Sequence, residues 1–136
     1  MAVLETTFVI DLMKESKRRR PGLASQKLEE LIFRGETLRI AIFTLAELLV
    51  GVAKGNRPLR ERAAIEQCVA PFEILAFERS TAEIFGAVVG ELQKRGETIS
   101  DIDALIASVA LENAETLVTR NRRHFDRVLS LSVETY

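Results

Sequence analysis

Val3-Leu4-Glu5-Thr6-Thr7-Phe8-Val9-Ile10-Asp11 is a largely apolar stretch, rich in β-branched residues, with a polar break at positions 5–7. Its residues 3–10 predict a buried strand with polar residues toward the carboxyl end. Similar short runs predict four more strands, at residues 38–43, 72–75, 116–119 and 129–133. Helical spacing predicts helices at residues 11–19, 24–34, 44–54, 59–69, 81–95, 100–113 and 123–127. This alternation indicates an α/β fold, a three-layer α/β/α sandwich with a central, mostly parallel sheet.

The length and composition of the chain limit its class. Its 136 residues fit a single domain spanning 1–136, and a hydrophobic fraction of 47% is enough for a sizeable core. The first residues do not resemble a signal peptide, and no apolar run approaches the roughly 18 residues that cross a membrane. Cys68 is the only cysteine. An intramolecular disulfide and a cysteine zinc cluster are therefore excluded, and the cytoplasm is the expected location.

The charged residues give no sign of a general polyanion binder, because the net charge is only −1. Contacts with nucleic acid are therefore expected from local basic clusters, such as Arg120, Arg122 and Arg123. His124 is the only histidine, so a two-histidine acid–base mechanism is excluded. We interpret it as a surface or capping imidazole rather than a catalytic base.

Acidic side chains follow or precede predicted elements at the carboxyl edge of the sheet, where functional groups collect in such folds. Taken alone, Glu47 is explained by a capping box with Thr44, and Asp103 by a similar box with Ser100. Glu5 has no such explanation, because a carboxylate in an apolar strand is costly to bury unless it is paired or binds a cation. Together, the three carboxylates predict a magnesium site, since Mg²⁺ prefers oxygen ligands.

Four sequence blocks carry a resemblance to a known family. The sequence resembles PIN domains of the VapC toxin type, and the resemblance covers nearly the whole chain. The blocks are Val3–Asp11, Thr44–Gly51, Ile99–Ala107 and Thr116–Asn121, the last followed by His124-Phe125. Each block is short, but their order and spacing are specific, and the third is the most specific.

The resemblance implies a function and a set of site residues. The implied function is a Mg²⁺- or Mn²⁺-dependent endoribonuclease, the toxin of a toxin–antitoxin pair, which forms a homodimer and is neutralised by a cognate VapB-like antitoxin. The implied catalytic residues are Glu5, Glu47, Asp103 and Asn121, of which the first three would bind the metal. Thr6, Asp101 and Thr119 are expected around these ligands, with Asp11 nearby. Arg120, Arg122 and Arg123 are the expected RNA contacts.

Two departures from the family pattern keep an alternative open. The first family acid is normally Asp, and here it is Glu5, which is longer by one methylene. Asn121 replaces an often acidic fourth residue but keeps an oxygen. Because Mg²⁺ demands near-ideal octahedral geometry, the alternative is a catalytically impaired module that binds RNA or an antitoxin. A magnesium-dependent phosphoryl-transfer enzyme is disfavoured, since no nucleophilic Asp stands at position 5.

Overall fold

A central sheet of five parallel strands organises the molecule, in the order β3-β2-β1-β4-β5. The computed structural model describes residues 1–136. The strands are β1 (Ala2–Leu4), β2 (Leu38–Ala41), β3 (Glu73–Leu75), β4 (Thr116–Val118) and β5 (Val133–Glu134). The α/β class and the parallel sheet predicted from the sequence are therefore confirmed.

Seven helices cover the sheet. They are α1 (Thr6–Arg18), α2 (Leu23–Phe33), α3 (Ile42–Lys54), α4 (Pro58–Val69), α5 (Arg79–Lys94), α6 (Asp101–Glu112) and α7 (Arg122–Phe125). None of them combines the length and the apolar composition that a membrane-spanning helix needs.

Two separate hydrophobic clusters form the core, one on each face of the sheet. Along β1, Ala2 and Leu4 belong to the first cluster, whereas Val3 belongs to the second. Successive side chains of a strand point to opposite faces, which accounts for this alternation. The first cluster packs against α1 to α4 and the second against α5 to α7. The three-layer arrangement follows from these two faces.

The first strand is shorter than the sequence predicts, because residues 6–10 are helical. Strand β1 ends at Leu4, and Glu5 then acts as the N-cap of α1 by accepting a hydrogen bond from the Thr7 amide. Its backbone is extended (φ −77°, ψ 161°), as is usual at an N-cap. Burial of Phe8 and Val9 on the core face of α1 outweighs the strand preference of this β-branched run.

The last strand was also placed wrongly by the sequence pattern. Residues 129–130 form a turn, residues 131–132 have no regular structure, and β5 consists only of Val133 and Glu134. Ser130 has a φ of 68°, which no strand accommodates, and Leu129 is exposed. The alternation of apolar residues and serines over residues 129–133 therefore did not indicate a strand of that length here.

The start of α2 is capped from another helix. Its N-cap residue, Gly22, has no side chain, and the Glu15 carboxylate of α1 accepts hydrogen bonds from the amides of Gly22, Ala24 and Ser25 at 2.9–3.0 Å. A Cβ atom at position 22 would lie 2.6 Å from a Glu15 carboxylate oxygen, so a larger residue there would require the end of the Glu15 side chain to shift. Although burial acts to raise the pKa of Glu15, these hydrogen bonds and that of the Ser25 hydroxyl lower it overall.

We expect Glu15→Gln to lower the free energy of unfolding by about 1 kcal/mol at pH 7, the usual value of a helix cap. Because the pKa of Glu15 is lower in the folded chain, its charge stabilises the fold above the ordinary value of 4.5. That contribution is lost as the pH falls below 4.5 and through the folded-state pKa. Urea unfolding at pH 7 and pH 3 measures the difference, and Glu29→Gln, on an exposed residue of α2, is the control. An equal effect of the two variants at pH 7 would contradict the capping role.

Candidate active site

The carboxyl ends of the central strands bring the candidate site together. Glu5 directly follows β1 and Thr119 directly follows β4, and these two strands are neighbours with Leu4 opposite Val118. Residues separated by more than a hundred positions in sequence are thereby placed side by side. The hydroxyl of Thr119 donates a hydrogen bond to Glu5 Oε2 at 2.8 Å.

The Glu5 side chain is buried, with 3% of its surface exposed. Its Oε2 atom accepts hydrogen bonds from the amide and hydroxyl of Thr7 as well as from Thr119. Burial raises the pKa of the Glu5 carboxyl, these hydrogen bonds act against the rise, and the negative charge of Asp103 adds to it. No lysine or arginine forms a salt bridge with Glu5.

Glu47 is held by a hydroxyl group from the first helix rather than by a capping box. Helix α3 begins at Ile42 with Ala41 as its N-cap, so the predicted box between Thr44 and Glu47 is wrong. The hydroxyl of Thr6 instead donates a hydrogen bond to the Glu47 carboxylate and lies 3.2 Å from the buried Thr44 hydroxyl. The helix starts earlier because two apolar residues after β2 continue directly into it. Glu47 is therefore not explained as a helix-capping residue.

Asp103 lies in the first turn of α6. Ser100 is the N-cap, as predicted, and its hydroxyl accepts a hydrogen bond from the Asp103 amide at 3.1 Å. The Asp103 carboxylate does not accept a hydrogen bond from the Ser100 amide, so the predicted capping box is only half formed. It instead contacts His124 Nδ1 at 3.0 Å. The imidazole is exposed, which agrees with its interpretation as a surface group, but its carboxylate partner was not predicted.

The other polar residues expected at the site divide into two groups. The backbone amide of Asn121 donates a hydrogen bond to the Thr119 hydroxyl at 3.0 Å. Asp101 is exposed on the first turn of α6. Asp11 is engaged elsewhere, because its carboxylate accepts hydrogen bonds from Arg120 Nη1 at 2.9 Å and from the Tyr136 hydroxyl at 2.8 Å.

The predicted basic cluster is only partly free to bind another molecule. Arg120 is paired with Asp11, and Arg122 is paired with Asp126 at 3.1 Å on the surface of α7. Arg123 is exposed and forms no salt bridge. Arg120 engages Asp11 through Nη1 alone, so its remaining side-chain donors stay available.

The donor set fits a magnesium ion in its chemistry, although no group of three or more His, Cys, Asp or Glu side chains forms a ready metal centre. All the candidate donors are oxygens, and hydroxyl groups rather than basic side chains hold Glu5 and Glu47. The opposite edge of the sheet differs. There Arg39 lies 2.9 Å from Glu115 and 3.2 Å from Glu73. Glu5 and Glu47 thus lack the cationic partners that neutralise acids elsewhere in the molecule, whereas Asp103 contacts His124.

The comparisons with known proteins identify the family of the chain. Residues 2–129 match the model of the PIN domain family. The chain belongs to the PIN-domain family. Within it, the chain is similar to VapC proteins. It is 32% identical over 134 residues to ribonuclease VapC2 of Haemophilus influenzae, covering 98% of this chain and 96% of the relative.

Two further relatives of this PIN domain extend the comparison. The chain is 33% identical over 97 residues to the tRNA(fMet)-specific endonuclease VapC of Shigella flexneri, covering 71% of this chain and 74% of the relative. A crystal structure of VapBC2 from Rickettsia felis, bound to a DNA fragment from its promoter, superimposes with a TM-score of 0.90. That match has 28% sequence identity and covers 99% of this chain and 98% of the other. The PIN and VapC resemblance seen in the sequence is confirmed.

The sequence placed Thr6 and Thr119 around the ligand carboxylates of this PIN domain, and their hydroxyls do bind Glu47 and Glu5 respectively. Thr7 was not singled out, yet its amide and hydroxyl both bind Glu5. A signal was present, because Glu5 lies two positions before Thr7, which is the spacing between an N-cap residue and the first-turn amide that it binds. The strand predicted over residues 3–10 concealed it.

Proposed function

We propose that the chain is a magnesium-dependent endoribonuclease and the toxin of a toxin–antitoxin pair. The observation that carries this proposal is the group of carboxylates at the carboxyl edge of the sheet, with Glu5 buried and without a basic partner. The relatives named ribonuclease and endonuclease VapC support the reaction class. Manganese, which also accepts oxygen ligands, is the second candidate metal.

Each site residue then has a stated role. Glu5, Glu47 and Asp103 would hold the metal, and the Thr6, Thr7 and Thr119 hydroxyls keep the two glutamate carboxylates in position. When bound, magnesium supplies activation of a water molecule and stabilisation of the charge that develops on the phosphodiester. Asn121, whose backbone amide binds Thr119, would contribute the uncharged oxygen of its side chain to the site.

The RNA would reach this edge along local positive charge, since the chain as a whole carries a net charge of −1. Arg120 directly follows Thr119, which binds Glu5, and Arg123 directly precedes His124, which contacts Asp103. Such groups bind phosphates without reading bases, so they support affinity and not sequence choice.

Two protein partners belong to the proposal, a VapB-like antitoxin and a second copy of this chain. Helix α2 exposes Leu23, Ile32 and Phe33, the last with 93% of its surface accessible, and apolar patches of this kind mark protein contacts. The half-buried Phe85 and Val88 of α5 offer a second apolar surface. Light scattering of the purified chain tests the dimer, and a monomer at micromolar concentration would refute it.

We expect the purified protein to cut RNA internally when Mg²⁺ or Mn²⁺ is present and to stop when EDTA removes the metal. The reason is that a cation held by these carboxylates is needed to activate the water and to stabilise the charge on the phosphodiester. Gel electrophoresis of end-labelled RNA measures the cleavage. EDTA saturated with Mg²⁺ is the control and should leave it intact. Cleavage that continues in free EDTA would exclude the metal mechanism.

A further inference from the structure

A polar cavity of about 380 Å³ adjoins the proposed active site. It lies between the segment that follows α5, the start of α6 and helix α7. Its lining residues are Thr98, Ile99, Ser100, Asp103, His124 and Arg127. Because Asp103 lines the cavity and is also a proposed metal ligand, any group bound in the cavity would lie directly beside the reacting phosphate.

The walls of this cavity are fixed by hydrogen bonds between elements. Arg127 donates through Nη1 to the Thr98 carbonyl, and its own carbonyl accepts a hydrogen bond from Arg95 Nη2 at 2.6 Å. Ser100 is held as the N-cap of α6 by the Asp103 amide. These bonds join the end of α5, the start of α6 and the end of α7. The cavity is therefore a built feature rather than a gap between loops.

The chemistry of the lining favours an anionic, hydroxyl-bearing ligand. Only one of the six lining residues, Ile99, is apolar, whereas pockets for uncharged organic molecules are mostly apolar. Arg127 uses Nη1 for the Thr98 carbonyl and keeps its other donors free. His124 contacts Asp103 through Nδ1, which leaves Nε2 for a ligand, and the Ser100 hydroxyl retains its proton to donate.

We propose that this cavity binds one phosphate–ribose unit of the RNA, adjacent to the scissile phosphate. Arg127 binds the phosphate, and His124 and Ser100 face the ribose hydroxyls. The volume lies at the lower end of the range for ligand pockets, which suits one nucleotide unit and not several. The inference rests on the proposed ribonuclease function and adds a substrate contact to it. A contact of this kind reads the RNA backbone and is the same for every base sequence.

Arg127→Gln tests the proposal, because the glutamine amide can still donate to the Thr98 carbonyl while the positive charge is removed. We expect KM for RNA to rise about tenfold with kcat changed by less than about twofold, as for a lost charged hydrogen bond to substrate. The dissociation constant for labelled RNA in EDTA, measured by fluorescence anisotropy, should rise by a similar factor across unrelated sequences. The slope of log affinity against log salt should fall by about 1. Arg127→Lys, which keeps the charge, should recover part of the loss.

Arg79→Ala is the matched control, since it removes an exposed arginine near the other end of α6. Ser80 and Thr81 contact Glu112 there, nine residues or about 14 Å along the helix from Asp103. Unchanged KM and dissociation constant in Arg127→Gln, with cleavage intact, would overturn the cavity proposal alone. An equal loss in Arg79→Ala would overturn it as well, because the effect would then be general charge. A wild-type chain that neither binds nor cuts RNA would refute the proposed function itself. A thermal melt of each variant excludes unfolding as the cause.

Discussion

Replacing Asp103 by Asn should abolish RNA cleavage, lowering kcat by at least about a hundredfold, while the fold is kept. The loss is expected because removing one preorganised charge from an active site costs about two to three orders of magnitude in rate. The fold should survive, since the Ser100 cap uses the Asp103 backbone amide and an asparagine side chain can still bond to His124. Cleavage of labelled RNA with saturating Mg²⁺ and a thermal melt measure the two effects.

Asp126→Asn is the control for Asp103→Asn, because it makes the same chemical change in a surface salt bridge with Arg122. Surface pairs contribute about 0–1 kcal/mol to stability, and Asp126 has no contact with the site carboxylates. Its kcat should therefore match that of the wild type. Full activity of Asp103→Asn would show that the Asp103 charge is not needed for the reaction.

Replacing Glu5 by Ala should remove cleavage and also destabilise the chain by about 2 kcal/mol. Both effects arise from one carboxylate, which would hold the metal and already caps α1. Its loss leaves the Thr119 hydroxyl and the Thr7 amide without their acceptor in a buried place. Urea unfolding and the cleavage assay measure the two effects. Lost cleavage with unchanged stability would show that the cap contributes nothing, and retained cleavage would exclude Glu5 from the site.

Glu5→Asp separates a working nuclease from the impaired alternative. Aspartate keeps the charge and remains a good helix N-cap, but its carboxylate is shorter by one methylene. If the site is built around Glu5, moving the carboxylate should lower kcat, since small misplacements are costly. A higher kcat in Glu5→Asp would instead show that the natural chain is attenuated. The growth of cells that express each variant gives an independent readout.

The order of the elements and the class of fold could be predicted from the sequence, because apolar periodicity reflects burial directly. The two strand errors have different physical causes. Residues 6–10 are rich in β-branched side chains, but the Glu5 cap and the burial of Phe8 and Val9 made them helical. Apolar residues alternate with serines over residues 129–133, but the left-handed backbone at Ser130 prevents a strand before Val133.

The site could be located but not described from the sequence alone. The three carboxylates were found because they follow or precede the elements that meet at one sheet edge. Thr6 and Thr119 were expected around these ligands, but the carboxylate that each one holds could not be assigned, since the bond from Thr6 to Glu47 joins residues 41 positions apart. The contact of His124 with Asp103 and the place of Arg127 in the cavity wall also depend on how α6 and α7 pack.

The strand order carries a consequence for how this protein is made. Strand β1 pairs with β2 and with β4. Its pairing with β4 cannot form until residues 116–118 have been synthesised. Thr119, which holds Glu5, follows that strand directly. At roughly 5–20 residues per second, a ribosome needs on the order of ten seconds to synthesise this much chain. Parallel pairings between distant segments also form slowly. The sheet edge with the candidate site is thus among the last parts of the nascent chain to assemble. A chain interrupted before β4 has Glu5 and Glu47 but lacks Thr119, which binds Glu5.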